Sequence, residues 1–400
     1  MATTAAKRMT LTEGLGERAP APIRMIPCMP TTWPHMLRPW PSTTPLVFPF
    51  DQPRLRYRYF ARNAVWDAVD LLDLSGKEVL FPAYHHGVEL ETLIAAGVKP
   101  VFFRVDAQMQ SDFEDAREKL SARTAALYLI HYVGFPQDLE AARSFADAAG
   151  IPLIEDCALS LLSRSGRVPL GSAGDAAVFC FYKTLPVPNG GALLARVRLR
   201  PLVDELPEPA APPFASMASH LIGSLLGNLE LRAGPWAQRL RQTVREAGRW
   251  AVHRGRIPRV STGTQHFERR DVGLGMSAAS HVILRNQDYP AIVEARRRNY
   301  FLLYAALRGI APPVTGELTT GVCPLFYPVR VKDKASVMSE LLVRGVETVD
   351  FWRVRHPAVP EGEFPEVDAL RAEVVELPVH QDLSPADAEH VAASLREVLR

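Results

Sequence analysis

The sequence predicts an α/β fold, a mostly parallel sheet covered by helices, followed in the chain by a smaller α/β unit. Three observations carry this. Residues 61–198 alternate helical spacing with short, unbroken apolar runs, the pattern of strands buried on both faces. Proline crowds residues 199–216, which read as a linker. From residue 289 the alternation resumes on a smaller scale. Four hundred residues are too many for one small core and suit a large domain with a companion.

The elements follow in order. "NAVWDAVDLLDL" has helical spacing, "KEVLFPAY" is a short apolar run, and "GVELETLIAAGV" is helical again. "PVFFRVD" reads as a strand, "DFEDAREKL" as a helix and "AALYLIHYVG" as a strand. "DLEAARSFADAAG" is a helix stopped at Gly150. "PLIEDCA", "AVFCFY" and "GALLARV" are strands. After the linker a helical stretch runs to about residue 254, and its "LIGSLLGNLEL" is too short to span a bilayer. That segment reads as a helix packed on the body or on a second subunit. "YPAIVEARRRNYFLLYAAL" is a long helix whose "RRR" reads as a solvated face. "LFYPVRV", "ASVMSELLVRGV" and "LSPADAEHVAASLREVL" close the chain as strand, helix and helix.

Composition excludes several classes. The charged fraction is 22% and the hydrophobic fraction 47%, so the chain is not globally disordered. A formal net charge of +2 gives no case for nucleic acid as the main partner. Cys28, Cys157, Cys180 and Cys323 lie far apart, without metal-ligand spacing, which suits a reducing cytoplasm and no metal. "MATTAAKRMTLTEGLGERAPAP" has no apolar h-region and reads as a loose tail rather than a secretory signal.

In open parallel sheets ligands bind at the carboxyl ends of the strands. Those ends deliver His85 and His86, His131 and Gly134, Glu155 and Asp156, and Lys183. Any one of them alone reads as a surface residue; together they favour a site. Lys183 and Asp156 are the informative pair. Desolvation disfavours the charged form of an amine, and a neutral amine can attack a carbonyl to form a Schiff base. A carboxylate beside a pyridine nitrogen keeps it protonated, so that the ring can absorb electrons. On spacing alone a helix cap for Asp156 and a snorkelling lysine for Lys183 stay ahead.

The order of motifs resembles the DegT/DnrJ/StrS family of sugar aminotransferases, pyridoxal-phosphate enzymes of the aspartate aminotransferase fold (fold-type I). The resemblance rests on "VLFPAYHHGVELETLIAAGVKPVFFRVD", "LIHYVGFPQDLEAARSFADAAGIPLIEDCA", "GSAGDAAVFCFYKTLPVPNGGALLA", "LGMSAASHVILRNQDYPAIVEARRRNYFLLYAAL" and "ELPVHQDLS", across roughly residues 55–400. It implies a mixed, mostly parallel seven-stranded sheet and a small C-terminal α/β domain. The expected division is 1–54 as tail and arm, 55–288 as the cofactor-binding domain with a helical insertion near 199–254, and 289–400 as the small domain. By the match, Lys183 holds pyridoxal 5'-phosphate covalently and moves the proton, and Asp156 pairs with the ring nitrogen. His86 stands where a ring stacks on the cofactor, and Arg62, Asn63 and Cys180 stand where the phosphate is held. The Gly190–Gly191 turn is expected to keep side chains out of the pocket. A homodimer sharing its active sites is implied, as is a keto acceptor on a nucleotide-linked sugar or a related intermediate of a specialised (secondary) biosynthetic pathway.

The chain departs from the family at Leu159 (Gln or His expected), Cys180 (Ser expected) and Gly273 (a partner-facing Asn expected). These departures keep two alternatives open, another carbanion reaction such as dehydration, and a degenerate scaffold without chemistry. Relatives that dehydrate sugars carry histidine at the position of Lys183, so the lysine argues for transamination. His380 reads as a structural histidine. A Rossmann enzyme is disfavoured because no GxGxxG follows the first strand.

Overall fold

In chain order the strands are β1 (Arg56–Arg58), β2 (Glu78–Pro82), β3 (Lys99–Phe103), β4 (Thr124–Ile130), β5 (Leu153–Cys157), β6 (Arg164–Ser165), β7 (Val168–Pro169), β8 (Ala176–Cys180), β9 (Gly191–Ala195), β10 (Phe326–Arg330) and β11 (Val374–Pro378). The helices are α1 (Ala61–Leu71), α2 (Val88–Ala95), α3 (Phe113–Glu118), α4 (Leu139–Ala149), α5 (Arg200–Val203), α6 (Phe214–Ala233), α7 (Ala278–Arg285), α8 (Tyr289–Leu307), α9 (Lys334–Val343), α10 (Pro365–Glu373) and α11 (Pro385–Val398). This computed structural model describes residues 24–40, 42–233, 237, 239–241, 243–244, 267–350 and 352–400. The expected tail at 1–22 and the end of the expected helical stretch at 245–254 lie outside the described residues.

Seven strands form one sheet in the order β1-β9-β8-β5-β4-β2-β3. The run from β8 to β3 is parallel, β9 is antiparallel to β8, and β1 is antiparallel to β9, so the sheet is mixed but mostly parallel. Every residue of β5, β8 and β9 is buried, as their unbroken apolar runs require. The chain leaves β2 for β3 on one side and returns to β4 on the other. That reversal opens a crevice at the carboxyl ends of β2 and β4, where α/β sheets place their ligands.

Local chemistry fixes the covering helices. Asp112 and Asp138 cap α3 and α4 by accepting amide protons of their first turns. Gly150 ends α4 in the left-handed conformation, φ 66°. At α1 the cap is reversed: Asn63 Oδ1 accepts the Phe60 amide at 3.0 Å.

In a separate two-stranded sheet, β10 and β11 pair antiparallel, and α8 packs against both β10 and α11. The N-terminal segment joins this unit. The Ile26 amide donates to Gly345 O at 2.8 Å and the Glu347 amide donates to Ile26 O at 2.9 Å. Gly134 (φ +104°) lies so close to Cys323 and Pro324 that a Cβ there would strike their backbone. The Leu325 amide donates to Val133 O in the same place, seating the C-terminal unit against the end of β4.

Three expectations change. The linker holds a helical turn, α5, and the first residues of α6. The edge strand β1 is present where no strand was expected, because its three residues carry two arginines rather than an apolar run. The "RRR" of α8 is not a solvated face: Arg296 is fully buried, since α8 is sandwiched and one of three consecutive side chains must point inward. α6 is apolar on most sides yet leaves Phe214 76% and Ile222 48% exposed.

Candidate active site

The strand ends converge on a cavity of about 190 Å³. Its walls include Arg62 from the first turn of α1, His86 from the β2–α2 loop, Asp156 from β5, Cys180 from β8 and Lys183 just beyond β8. Five of the six expected site residues therefore share one space. A larger cavity, about 660 Å³, lies between Phe48, Leu162 and α8. Arg297 and Arg298 on its wall donate to the carbonyls of Thr319, Val322 and Leu383, and none of the expected site residues lines it.

Asn63 is the exception. Its Oδ1 caps α1, and its Nδ2 donates to Asp271 O at 2.6 Å and Val272 O at 3.1 Å. The side chain has no donor left for an anion, and it lies outside the cavity wall. Its effect is to fix the helix start that carries Arg62.

Asp156 is buried and aimed by two donors. The Tyr128 hydroxyl donates to Oδ2 at 2.7 Å and the Ala158 amide to Oδ1 at 2.8 Å. Burial pushes its carboxyl above the usual range, and those two donors together with the Lys183 ammonium pull it back in part. Its neighbour Glu155 faces the other side of the sheet, as alternation along a strand demands. Glu155 accepts the amides of Gly171 and Gly174 and the Nε2 proton of His131. His131 Nδ1 accepts the Gln137 amide, which places the proton on Nε2. The pair is a structural tie for the 171–174 turn.

His86 is nearly buried. Burial first, then the charges of Lys183 and Arg62, holds its pKa down to about 3, so the ring is a flat neutral face. Burial raises the Cys180 thiol, which stays protonated and able to donate. Leu159 closes one side of the cavity as an apolar wall. His380 donates Nε2–H to Pro27 O at 2.9 Å and does not line the cavity.

The glycine turn works differently from the expectation. A Cβ on Gly191 would strike the backbone of Phe60 and Ala61, and one on Gly190 would strike Phe181. The two glycines let β9 pass under the start of α1, which brings Arg62 next to the lysine turn. They are not cavity walls.

Among the wall residues that were not foreseen are Glu89, Tyr182 and Trp352. Glu89 sits in the first turn of α2, where it accepts the His86 amide at 2.7 Å, and burial raises its carboxyl. An acidic residue in the first turn of the helix that follows a strand end is the one signal that could have found it.

Comparison with known proteins agrees with this geometry. Residues 63–196 match the DegT/DnrJ/EryC1/StrS aminotransferase family. The chain is 29% identical over 123 residues to a GDP-perosamine synthase of Vibrio cholerae, a match spanning 30% of this chain and 34% of that protein. It is 25% identical over 353 residues to a dTDP-4-dehydro-2,3,6-trideoxy-D-glucose 4-aminotransferase of Saccharopolyspora spinosa, covering 84% of this chain and 82% of that one. In fold it is similar to the aminotransferase TlmJ of Streptoalloteichus hindustanus, with a TM-score of 0.60, 24% identity and 86% of each chain covered.

Proposed function

We propose, from the match of residues 63–196 to the DegT/DnrJ/EryC1/StrS aminotransferase family, that the chain transfers an amino group to the keto carbon of a nucleotide-linked sugar, with pyridoxal phosphate held at Lys183. The observation that carries this reading is the meeting of Lys183, Asp156, His86, Arg62 and Cys180 around one cavity.

The donor set fits a flat anionic pyridine aldehyde. It offers an amine, a carboxylate, a neutral ring, a guanidinium at a helix N-terminus and a thiol donor. Bound there, pyridoxal phosphate supplies an aldehyde for an amine and a ring that takes up the electron pair left when a proton departs. Lys183 would be the amine that holds the aldehyde, and its Nζ would be the group placed to hold and move a proton there. Asp156 would hold the ring nitrogen through a carboxylate that Tyr128 and Ala158 keep in place. His86 would cover one face of the ring, and Arg62 and Cys180 would hold the phosphate. Leu159 excludes water from one wall.

The substrate class rests on the relatives, whose names specify GDP- and dTDP-linked sugars. The finer parts of the reading are a homodimer with active sites at the subunit interface, a cytoplasmic location and a role in secondary metabolism. The exposed apolar residues of α6 support the first. All four cysteines are free thiols, and no described helix is long and apolar enough to cross a membrane. The large domain is taken as 55–288 and the small one as 289–400.

The test uses purified protein loaded with pyridoxal phosphate. An amino acid donor should shift its absorbance band, and a dTDP- or GDP-linked 4-keto sugar should restore it. Restoration by simple 2-keto acids alone would overturn the substrate class.

A further inference from the structure

Arg296 and Arg371 are both buried, and neither has a carboxylate within ion-pair distance among the described residues. A buried guanidinium is costly to desolvate and normally takes an acidic partner. Here both spend their protons largely on backbone carbonyls, and three of these stand at or next to cavity walls: Thr184 follows Lys183, His85 precedes His86, and Trp352 is itself a wall residue. Arg296, from α8, donates Nη2–H to Thr184 O at 2.9 Å, one residue past Lys183. Its Nη1 donates to Pro324 O and Leu325 O, and its Nε to Gln381 Oε1. Gln381 Nε2 also donates to Thr184 O, at 3.1 Å. Arg371, from α10, donates Nη2–H to Ala83 O at 3.2 Å and Nη1–H to His85 O at 3.1 Å, beside His86. The same Nη1 donates to Trp352 O at 2.6 Å, and Trp352 is itself a wall residue.

We infer that Arg296 and Arg371 are positioning residues: two cations through which the C-terminal unit holds opposite walls of the site, one fixing the lysine turn and the other fixing the His86 loop against Trp352. The division of labour follows from where each guanidinium ends. Five fixed N–H donors on a plane reach several carbonyls at once, which a lysine ammonium does not reproduce. Burial lowers the pKa of both, and nearby acidic groups oppose it in part, Cys323 and Asp382 for Arg296 and Tyr84 and Glu89 for Arg371. The inference rests on the proposed cofactor site.

The experiment compares parent, Arg296→Met, Arg371→Met and Arg298→Met, the last a control whose bonds reach only Asn299 and Leu383. Arg296→Lys, Gln381→Leu and Arg371→Lys are milder versions, compared in the same way should a methionine variant fail to fold. Pyridoxal phosphate affinity is read by fluorescence titration, and the fraction of chain reducible by borohydride at saturation by mass spectrometry. Arg296→Met and Gln381→Leu should lower the trapped fraction on Lys183 and weaken binding. Arg371→Met should weaken binding by about tenfold, the value of one lost hydrogen bond to a charged group, and leave the trapped fraction at saturation unchanged. Arg298→Met should change neither. A parent chain that traps nothing overturns the cofactor reading itself. A parent that traps normally, with variants that match it or lose both readouts in proportion to their melting temperature, overturns the positioning roles alone.

Discussion

Tyr128 donates its hydroxyl to Asp156 across adjacent parallel strands, at 2.7 Å and wholly inside the protein. The register makes this possible. Ile130 stands opposite Asp156, and Tyr128, two residues earlier, points to the same face of the sheet. The bond favours the ionised carboxyl while burial opposes it. Tyr128→Phe removes only the bond, so the Asp156 pKa rises further. The acid limb of the pH–rate profile should move up by about one unit, the equivalent of ~1.5 kcal/mol. An unmoved limb would show that Tyr128 does not tune Asp156.

Asp156→Asn separates stability from chemistry. The folded-state pKa of Asp156 is raised, so its contribution to stability is present below the unfolded value, near ~3.9, and is lost as pH rises through the folded value. At pH 7 the buried carboxylate therefore costs the cofactor-free chain stability. The asparagine variant should melt at the same temperature or higher, while turnover falls by at least ~100-fold, as for a lost electrostatic contact in a reacting site. Lower stability with near-parent turnover would assign Asp156 to capping.

Glu155 behaves in the opposite sense. Burial works against its charge, but His131 and the Gly171 and Gly174 amides outweigh it and hold the carboxyl below the usual range. Its stabilisation is present above the unfolded pKa and disappears as pH falls through the lowered one. Glu155→Gln should cost about 2–3 kcal/mol at pH 7, and the gap in melting temperature to the parent should narrow below pH ~4.3. A pH-independent gap would mean that only packing is lost.

Gly191→Ala puts a methyl into the backbone of Phe60 and Ala61. Overpacking of this kind costs about 1–3 kcal/mol, and here it also shifts the start of α1. Melting should fall and pyridoxal phosphate should bind more weakly. Parent-like melting would mean that α1 is not pinned by β9.

Much of this was legible because parallel strands announce themselves as unbroken apolar runs and end in polar residues. Asp156 and Lys183 were found that way, and α8 falls on the residues expected of it. The missed features share a cause: their environment is set by distant segments. Glu89 in "GVELETL" looks like a solvated helix position, yet the strand ends bury it. Arg296 is one of three identical letters, and only the packing of α8 against the lysine turn says which one points inward. Asn63 lies in the right place for phosphate, but the carbonyls of Asp271 and Val272, 208 and 209 residues away, claim its donors.

The central claim is that Lys183 binds the cofactor. The direct measurement is borohydride reduction of the purified, pyridoxal-phosphate-loaded chain, followed by proteolysis and mass mapping of the modified lysine. The account predicts one modified site, Lys183, and no modification in Lys183→Ala. Modification of a different lysine, or an unmodified chain that nonetheless transaminates, would contradict it.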